Sequence, residues 1–409
     1  MKFDTVIIGG GLSGLTCGVR LQKQGKRCVI VSAGQSALHF SSGSFDLLNR
    51  LADGTEVVSP VEQVSGVDKA HPYVKLGDKF AFYAAEAQKL MADCGVELQG
   101  SADKNHYHFT PMGTMKPSWL TISDFDCYDN VAPFKGKKVI LLNISGFLDF
   151  NTKFIADALE TAGASCMIKS INLPELNKLR VSPTEMRSTN IAKVIDKEEV
   201  FNKLVSVIIG FSDGFDVVAL PAVFGLASDR LVKALKGMVN IKLMPTMPPS
   251  VPGIRVQQQL RREFERLGGC YMLGDTVEKA EIENGKVKKV YTTNHGNIGI
   301  TADAYVLTTG SFFSNGLVAH SHDIIEPVFG ADVDFSEDRA DWFDANFFGK
   351  QNYLTFGVAT DEKFRVKKNG KSLENLYAAG SVLSGFNPIY EGCGAGVAML
   401  TSLFVADNL

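Results

Sequence analysis

Gly9, Gly11 and Gly14, spaced G-x-G-x-x-G, carry the plainest chemical signal in the chain. The first glycine permits a tight turn out of a strand. The second lets a pyrophosphate approach the backbone, and the third lets a helix lie close to a sheet. The chemistry is phosphate binding by free N–H groups at the positive end of a helix dipole. Together with Gly10, Leu12 and Ser13 these glycines form a candidate cofactor-phosphate site. Such sites usually carry an acid about 20 residues on, at the end of the second strand, to hold a ribose. Here that position is Ser32, followed by Ala33 and Gly34. A serine hydroxyl can hydrogen-bond a ribose, but less strongly than a carboxylate.

A second polar set follows directly. In Q-S-A-L-H-F-S-S-G-S-F-D-L-L, His39, Ser41, Ser42 and Ser44 cluster around Gly43. They could line a cofactor ring, or form a capped loop entering a helix. His39 is the candidate general base. Arg255 is the candidate anion clamp, because its fork matches phosphate or carboxylate oxygens; the alternative is a surface cap or salt bridge. His106 and His108 alternate on a strand pattern and would share a face, but two histidines do not make a metal site, and none is expected. The seven cysteines, Cys17, Cys28, Cys94, Cys127, Cys166, Cys270 and Cys393, are scattered, with no C-x-x-C. Neither a zinc site nor a cysteine-ligated iron–sulfur cluster is encoded in such a pattern.

The elements that must position these groups are legible from the apolar runs. Thr5 to Ile8 is a strand. Leu12, Leu15, Val19 and Leu21 mark a helix that Gly25 stops, and Cys28 to Val31 is a second, parallel strand. A helix is expected from Lys79 to Cys94. A further α/β region follows: strand Lys137 to Ile144, helix Asn151 to Ala162, strand Ala164 to Ile171, a charged helical segment from Thr184 to Ile209, and strand Phe215 to Leu220. It has no phosphate-loop glycines. The prolines after Met244 predict a rigid linker, with Arg255 at the start of a helix running to about Leu267. Strands follow in quick succession between Gly268 and Gly310, one of them beginning at Val277. Asn284–Gly285 is a hairpin signal. Three alternating strands precede the buried run Tyr305–Leu307, which ends in Thr308, Thr309 and Gly310 and would let backbone pass beside a nucleotide. Leu373 to Gly380 is a strand followed by Ser381. Gly392, Gly394 and Gly396 then lead into a final helix, Val397 to Ala406, whose free N–H groups would face a ring carbonyl or ribityl chain.

The two ends of the chain therefore build one cofactor site. The expected fold class is α/β: a discontinuous Rossmann-like FAD/NAD(P)-type flavin-binding domain, residues 1–50 plus 251–409, with an inserted α/β substrate or partner domain, residues 51–250. The 409 residues are enough for about two to three domains. A net charge of −3 does not suggest a nucleic-acid surface. No apolar run approaches the ~18 residues of a membrane span, and Asp4 interrupts any signal-peptide pattern. A reduced cytoplasmic protein is the expectation.

Gly9–Gly14, the run Val306–Gly310, and Asn375–Gly380 with Gly392–Val397 together resemble the two-domain flavoproteins with a glutathione-reductase-type Rossmann domain. The stretches F-D-T-V-I-I-G-G-G-L-S-G-L, G-Q-S-A-L-H-F-S-S-G-S-F-D-L-L, P-P-S-V-P-G-I-R, T-T-G-S-F-F-S-N-G-L-V-A and Y-E-G-C-G-A-G-V are similar to the B-subunit family of the anaerobic glycerol-3-phosphate dehydrogenases. The resemblance implies a three-subunit respiratory complex. It would oxidise sn-glycerol 3-phosphate to dihydroxyacetone phosphate. Electrons would pass through an iron–sulfur, membrane-anchoring C subunit to quinone, with fumarate or nitrate as terminal acceptor. A catalytic flavoprotein, the A subunit, would pair with the B subunit as a soluble dimer at the inner face of the membrane, touching it only through partners. The family assigns FMN, whereas the glycine motif used in its usual way implies FAD, and both stay open. Ser32 and Ser381 depart from the wider flavoprotein pattern, which places acids there. Two mechanisms are expected rivals. In one, hydride passes from C2 of glycerol 3-phosphate to flavin N5, with His39 as base and Arg255 as phosphate clamp. In the other, the chain only relays electrons between its partners. A flavin reductase acting on a carboxylate such as fumarate is a third reading.

Overall fold

Strand β1, Lys2–Ile8, is buried over its last four residues. It runs into helix α1, Leu12–Lys23, and Gly25 (φ +78°) lies just past the helix end in the left-handed conformation that glycine tolerates. Strand β2, Cys28–Ser32, is buried throughout, as expected of a parallel strand covered on both faces. Helix α2 spans Phe80–Asp93. Then come β3 (Lys138–Ile144), β4 (Ser165–Ile171), β5 (Val217–Pro221) and β6 (Ile241–Met244), followed by α3 (Val251–Arg266). The last part holds β7 (Cys270–Leu273), β8 (Val277–Glu283), β9 (Lys286–Thr292), β10 (Thr301–Leu307), β11 (Arg365–Lys368), β12 (Lys371–Ala378) and α4 (Gly394–Asp407). This computed structural model describes residues 1–182 and 185–409. Thr184, the expected start of the charged helical segment, lies outside them.

The first sheet has the order β7-β2-β1-β10-β12-β11. Its first five strands are parallel and β11 is an antiparallel edge. The register pairs Ile8 with both Val31 and Leu307, and Leu307 with Ala378, so the carboxyl ends of four strands finish side by side. The chain leaves β1 for β2 on one side and returns as β10 on the other. That makes the β1/β10 junction a topological switch point, where open α/β sheets bind ligands. Helix α4 is buried nearly all round and packs on α1 and α2. Ser13 Oγ lies 2.6 Å from Ser402 Oγ, and Arg20 pairs with both Glu86 and Asp407. Helix α2 thus sits with the first sheet's helices.

The second sheet, β6-β5-β3-β4, is wholly parallel. Among the described residues, no helix is long and apolar enough to cross a membrane.

Three expectations need correction. Helix α3 begins at Val251, with Ser250 Oγ capping Gly253 N–H, so Arg255 lies inside the helix rather than at its start. The three-strand unit after Gly268 is only a hairpin: β7 pairs with β2 in the first sheet, and β8 and β9 pair with each other. Val290 and Ile300 add one isolated bridge. Period-two alternation marks a strand but not the sheet it joins. Finally, α4 begins at Gly394, so Gly394 and Gly396 lie within its first turn.

Candidate functional site

A crevice of about 800 Å³ opens at the carboxyl ends of β1, β2 and β10. Its floor is the glycine turn. Gly9 has φ +116°, and a Cβ there would lie 2.2 Å from the Thr308 carbonyl oxygen. A Cβ on Gly14 would lie 1.9 Å from the Gly9 carbonyl oxygen. Gly11 differs: the nearest atom to its Cβ position is Ser36 Cβ at 3.7 Å, so that side faces open space. The turn is braced by the Thr308 hydroxyl, which donates toward the Ile8 and Gly9 carbonyls (3.0 Å each), and by the Tyr271 hydroxyl, which donates to the Gly10 carbonyl (3.2 Å). No acid and no side-chain cap occupies the first turn of α1. Its leading N–H groups have no acceptor within the helix, which suits an anion.

At one end of the crevice, buried Ser32 donates to the Gly34 carbonyl (3.2 Å), while Gly274 and Asp275 N–H donate to the Ser32 carbonyl. Asp275 and Val277 stand on this wall. Burial alone would raise Asp275. The Asn294 N–H, the Thr292 hydroxyl, His295 and the Thr276 N–H outweigh it and hold the carboxyl below its ordinary value. The β7/β2 pairing therefore brings one carboxylate beside Ser32 that no sequence spacing reveals, although its oxygens are engaged by Thr276, Asn294 and His295. At the other end are Ser41, Phe45, Val328, Ser381 and the first turn of α4, Gly394 and Ala395, which again holds no acid. Two helix N-termini thus open on one crevice. Thr309 lies on its wall with a buried hydroxyl that has no partner. An open glycine cradle, two helix starts and an unpartnered hydroxyl fit a flavin with its phosphates. Asp275 is the one charged residue among the described residues that line the crevice, and Lys, Arg and His are absent from that lining.

Of the residues singled out by sequence, the crevice is lined by Gly9, Gly10, Gly11, Leu12, Ser13, Ser32, Ala33, Gly34, Ser41, Ser44, Val277, Thr308, Thr309, Gly310, Ser381 and Gly394. The others support it from behind. Gly14 packs on Gly9, Gly43 on the Phe125 ring, Gly380 on Ser13, and Gly396 on the Tyr73 hydroxyl. Val397 is buried in α4, and Ser42 offers its carbonyl to His108 Nε2 at 2.9 Å. His39 is half-buried on the short turn Ala37–Phe40, outside the lining. Burial pushes its pKa down, against the favourable contact with Gln257. Arg255 is 2% exposed; its guanidinium donates to Asp124 and to the Phe224 and Gly225 carbonyls. Sequence reading missed Asp275. It named Thr308 at a strand end but not the bracing of the glycine turn by its hydroxyl.

Residues 4–397 match the FAD binding domain family. The chain is 43% identical over 416 residues to the B subunit of the anaerobic glycerol-3-phosphate dehydrogenase of Yersinia enterocolitica, covering all of this chain and 98% of that one. It is 43% identical over 424 residues to the same-named protein of Glaesserella parasuis, and 40% identical over 415 residues to that of Pectobacterium atrosepticum; each comparison covers all of this chain and 99% of the relative. Among solved structures, the 3-ketosteroid delta1-dehydrogenase of Sterolibacterium denitrificans is similar at 10% identity and a TM-score of 0.43, covering 100% of this chain and 99% of that one.

Proposed function

The chain belongs to the FAD binding domain family and to the family of anaerobic glycerol-3-phosphate dehydrogenase B subunits, and we propose that it is the flavin-bearing component through which electrons leave such a complex. The complex oxidises sn-glycerol 3-phosphate to dihydroxyacetone phosphate and delivers electrons to quinone. A separate catalytic flavoprotein supplies the substrate site, and an iron–sulfur partner anchors the assembly at the inner face of the membrane. The observation that carries the division of labour is the lining of the crevice: among the described residues it offers helix N-termini and hydroxyls but no Lys, Arg or His to clamp a substrate phosphate, and its one carboxylate, Asp275, is already engaged by Thr276, Asn294 and His295.

FAD is the flavin the geometry favours. Bound flavin supplies reversible acceptance of a hydride or of single electrons. The chain's own groups do the rest. The N–H groups at the start of α1 would hold the flavin phosphates, the Gly11 cradle would let them approach the backbone, and the N–H groups at the start of α4 would stabilise negative charge on a reduced ring. Ser32 and the Asp275 wall border the space for an adenosine.

A second reading keeps substrate oxidation on this chain with His39 as base. It is supported by the position of His39, half-buried and next in the chain to Ala37 and Leu38 of the crevice lining, where burial favours the neutral imidazole. Two measurements decide. Released chromophore identified by mass as FAD supports the dinucleotide reading, and FMN refutes it. Anaerobic glycerol 3-phosphate added to the isolated flavin-loaded chain should leave the flavin band unbleached until the catalytic partner is supplied. Bleaching without that partner would establish the second reading.

A further inference from the structure

Next to the start of α4, His71, Glu391 and Cys393 bring their side-chain donor atoms within 4.8 Å of one another, all buried. Cys393 immediately precedes Gly394 and Ala395, which line the crevice, so one member of the cluster adjoins the crevice wall along the chain. The spacing is that of a metal site, but the hydrogen bonding is not. His71 Nδ1 accepts the Tyr73 N–H at 3.0 Å, so the neutral ring carries its proton on Nε2. A metal would need the Nε2 lone pair, and moving the proton to Nδ1 would set two N–H groups face to face. His71 Nε2 has no hydrogen-bond partner and faces Glu391 Oε2 at 4.0 Å. Cys393 Sγ faces the same oxygen at 4.0 Å.

We propose that Glu391, flanked by His71 and Cys393, is a buried proton-accepting site that offsets negative charge arriving in the crevice. Two of the three groups already hold their protons. His71 cannot take another without losing its bond from Tyr73, and burial keeps the Cys393 thiol protonated. Glu391 alone has room for one. A hydronium ion from solvent gives up its proton: one of its O–H bonds breaks, an O–H bond forms on the Glu391 carboxylate, water is released, and the cluster changes from negative to neutral. Burial favours that neutral form. The Asn387 N–H (2.7 Å) and Lys350 oppose it, Asp68 supports it, and Asp46 adds further negative charge near Cys393.

This role rests on the crevice holding a flavin, and the test separates the two ideas. In reduced-minus-oxidised infrared difference spectra of the flavin-loaded chain, a carboxylic C=O band that shifts in D2O should appear in the wild type and in Cys393→Ser. It should be lost in Glu391→Gln, which keeps an acceptor for Asn387. The dependence of midpoint potential on pH should also be shallower in Glu391→Gln. Spectra and pH dependence identical in the wild type and Glu391→Gln would overturn the proposal. In the flavin-free chain the same band should titrate above ordinary carboxylates and vanish in Glu391→Gln. If flavin does not bind, the functional reading fails, and this titration still decides the proton site. A one-to-one zinc complex that disappears in His71→Gln would replace the proton site with a metal site.

Discussion

Arg255 and Asp124 form an ion pair sealed from solvent, the arginine 2% and the aspartate 1% exposed. Arg255 lies on α3, which packs on α1 beside the first sheet, and its other guanidinium bonds reach the loop after β5 of the second sheet. The pair therefore joins segments from both halves of the molecule. Removing one partner leaves a buried charge uncompensated, which costs about 3–5 kcal/mol. Arg255→Met should lower stability in urea unfolding by that amount, and adding Asp124→Asn should restore part of it. The Michaelis constant of the assembled complex for glycerol 3-phosphate should not change at temperatures where the variant is folded. A raised constant with undiminished stability would return Arg255 to the role of phosphate clamp.

Gly11 and Gly14 belong to one motif but should fail differently. Space beside Gly11 is open, whereas a side chain on Gly14 meets the Gly9 carbonyl at 1.9 Å. Gly11→Ala should therefore unfold at nearly the wild-type temperature and bind flavin at least tenfold more weakly, because the methyl group stands in the cradle. Gly14→Ala should lose stability with or without flavin. Calorimetry of the flavin-free proteins, paired with a flavin titration, separates the cases. Equal destabilisation by both changes would refute the assignment of Gly11 to the ligand and Gly14 to packing.

His108 and His71 make the fold acid-sensitive. Burial pushes each imidazole down to about 3, against an ordinary value near 6.5. Between those limits the unfolded chain binds protons that the folded chain does not. Stability is therefore complete above about pH 6.5 and falls as pH drops toward 3, with a maximum slope of about 1.4 kcal/mol per pH unit for each histidine. At pH 5 each costs about 2 kcal/mol. His108→Gln keeps a donor for the Ser42 carbonyl and removes one titration. Its stability difference between pH 7.5 and pH 5 should be smaller than the wild type's by that amount, and an unchanged difference would show that His108 is not held neutral.

The first sheet was readable because each strand around the glycine turns is a short apolar run with glycine or threonine at its end, and G-x-G-x-x-G fixes the order strand, turn, helix. Sheet membership was not readable. The segment Cys270–Leu273 looks like any neighbouring strand, and only its pairing beside Cys28–Ser32 places Asp275 at the crevice. The site followed the same division. Positions whose chemistry lies in the backbone, such as Gly9, Gly11 and Gly310, could be named from residue type. Arg255 could not, since a guanidinium serves a buried carboxylate as well as a phosphate, and Asp124 lies 131 residues away. Glu391 gave no local signal, because His71 meets it only in three dimensions.

Thr309 offers a change whose effects on stability and binding have opposite signs. Its hydroxyl is buried on the crevice wall without a partner, and an unsatisfied buried polar atom costs about 1–3 kcal/mol. Thr309→Val replaces that hydroxyl with a methyl group of similar shape. The flavin-free chain should gain about 1 kcal/mol and melt at a higher temperature. If the hydroxyl is satisfied by bound flavin, the same change removes a hydrogen bond worth about 0.5–1.5 kcal/mol, which weakens binding roughly two- to twelvefold. Melting curves with and without saturating FAD read both effects, and the gap between them should narrow in the variant. A variant stabilised equally in both states would mean that the hydroxyl does not contact the ligand, and the polar contact at this strand end would then fall to backbone groups such as those of Gly310.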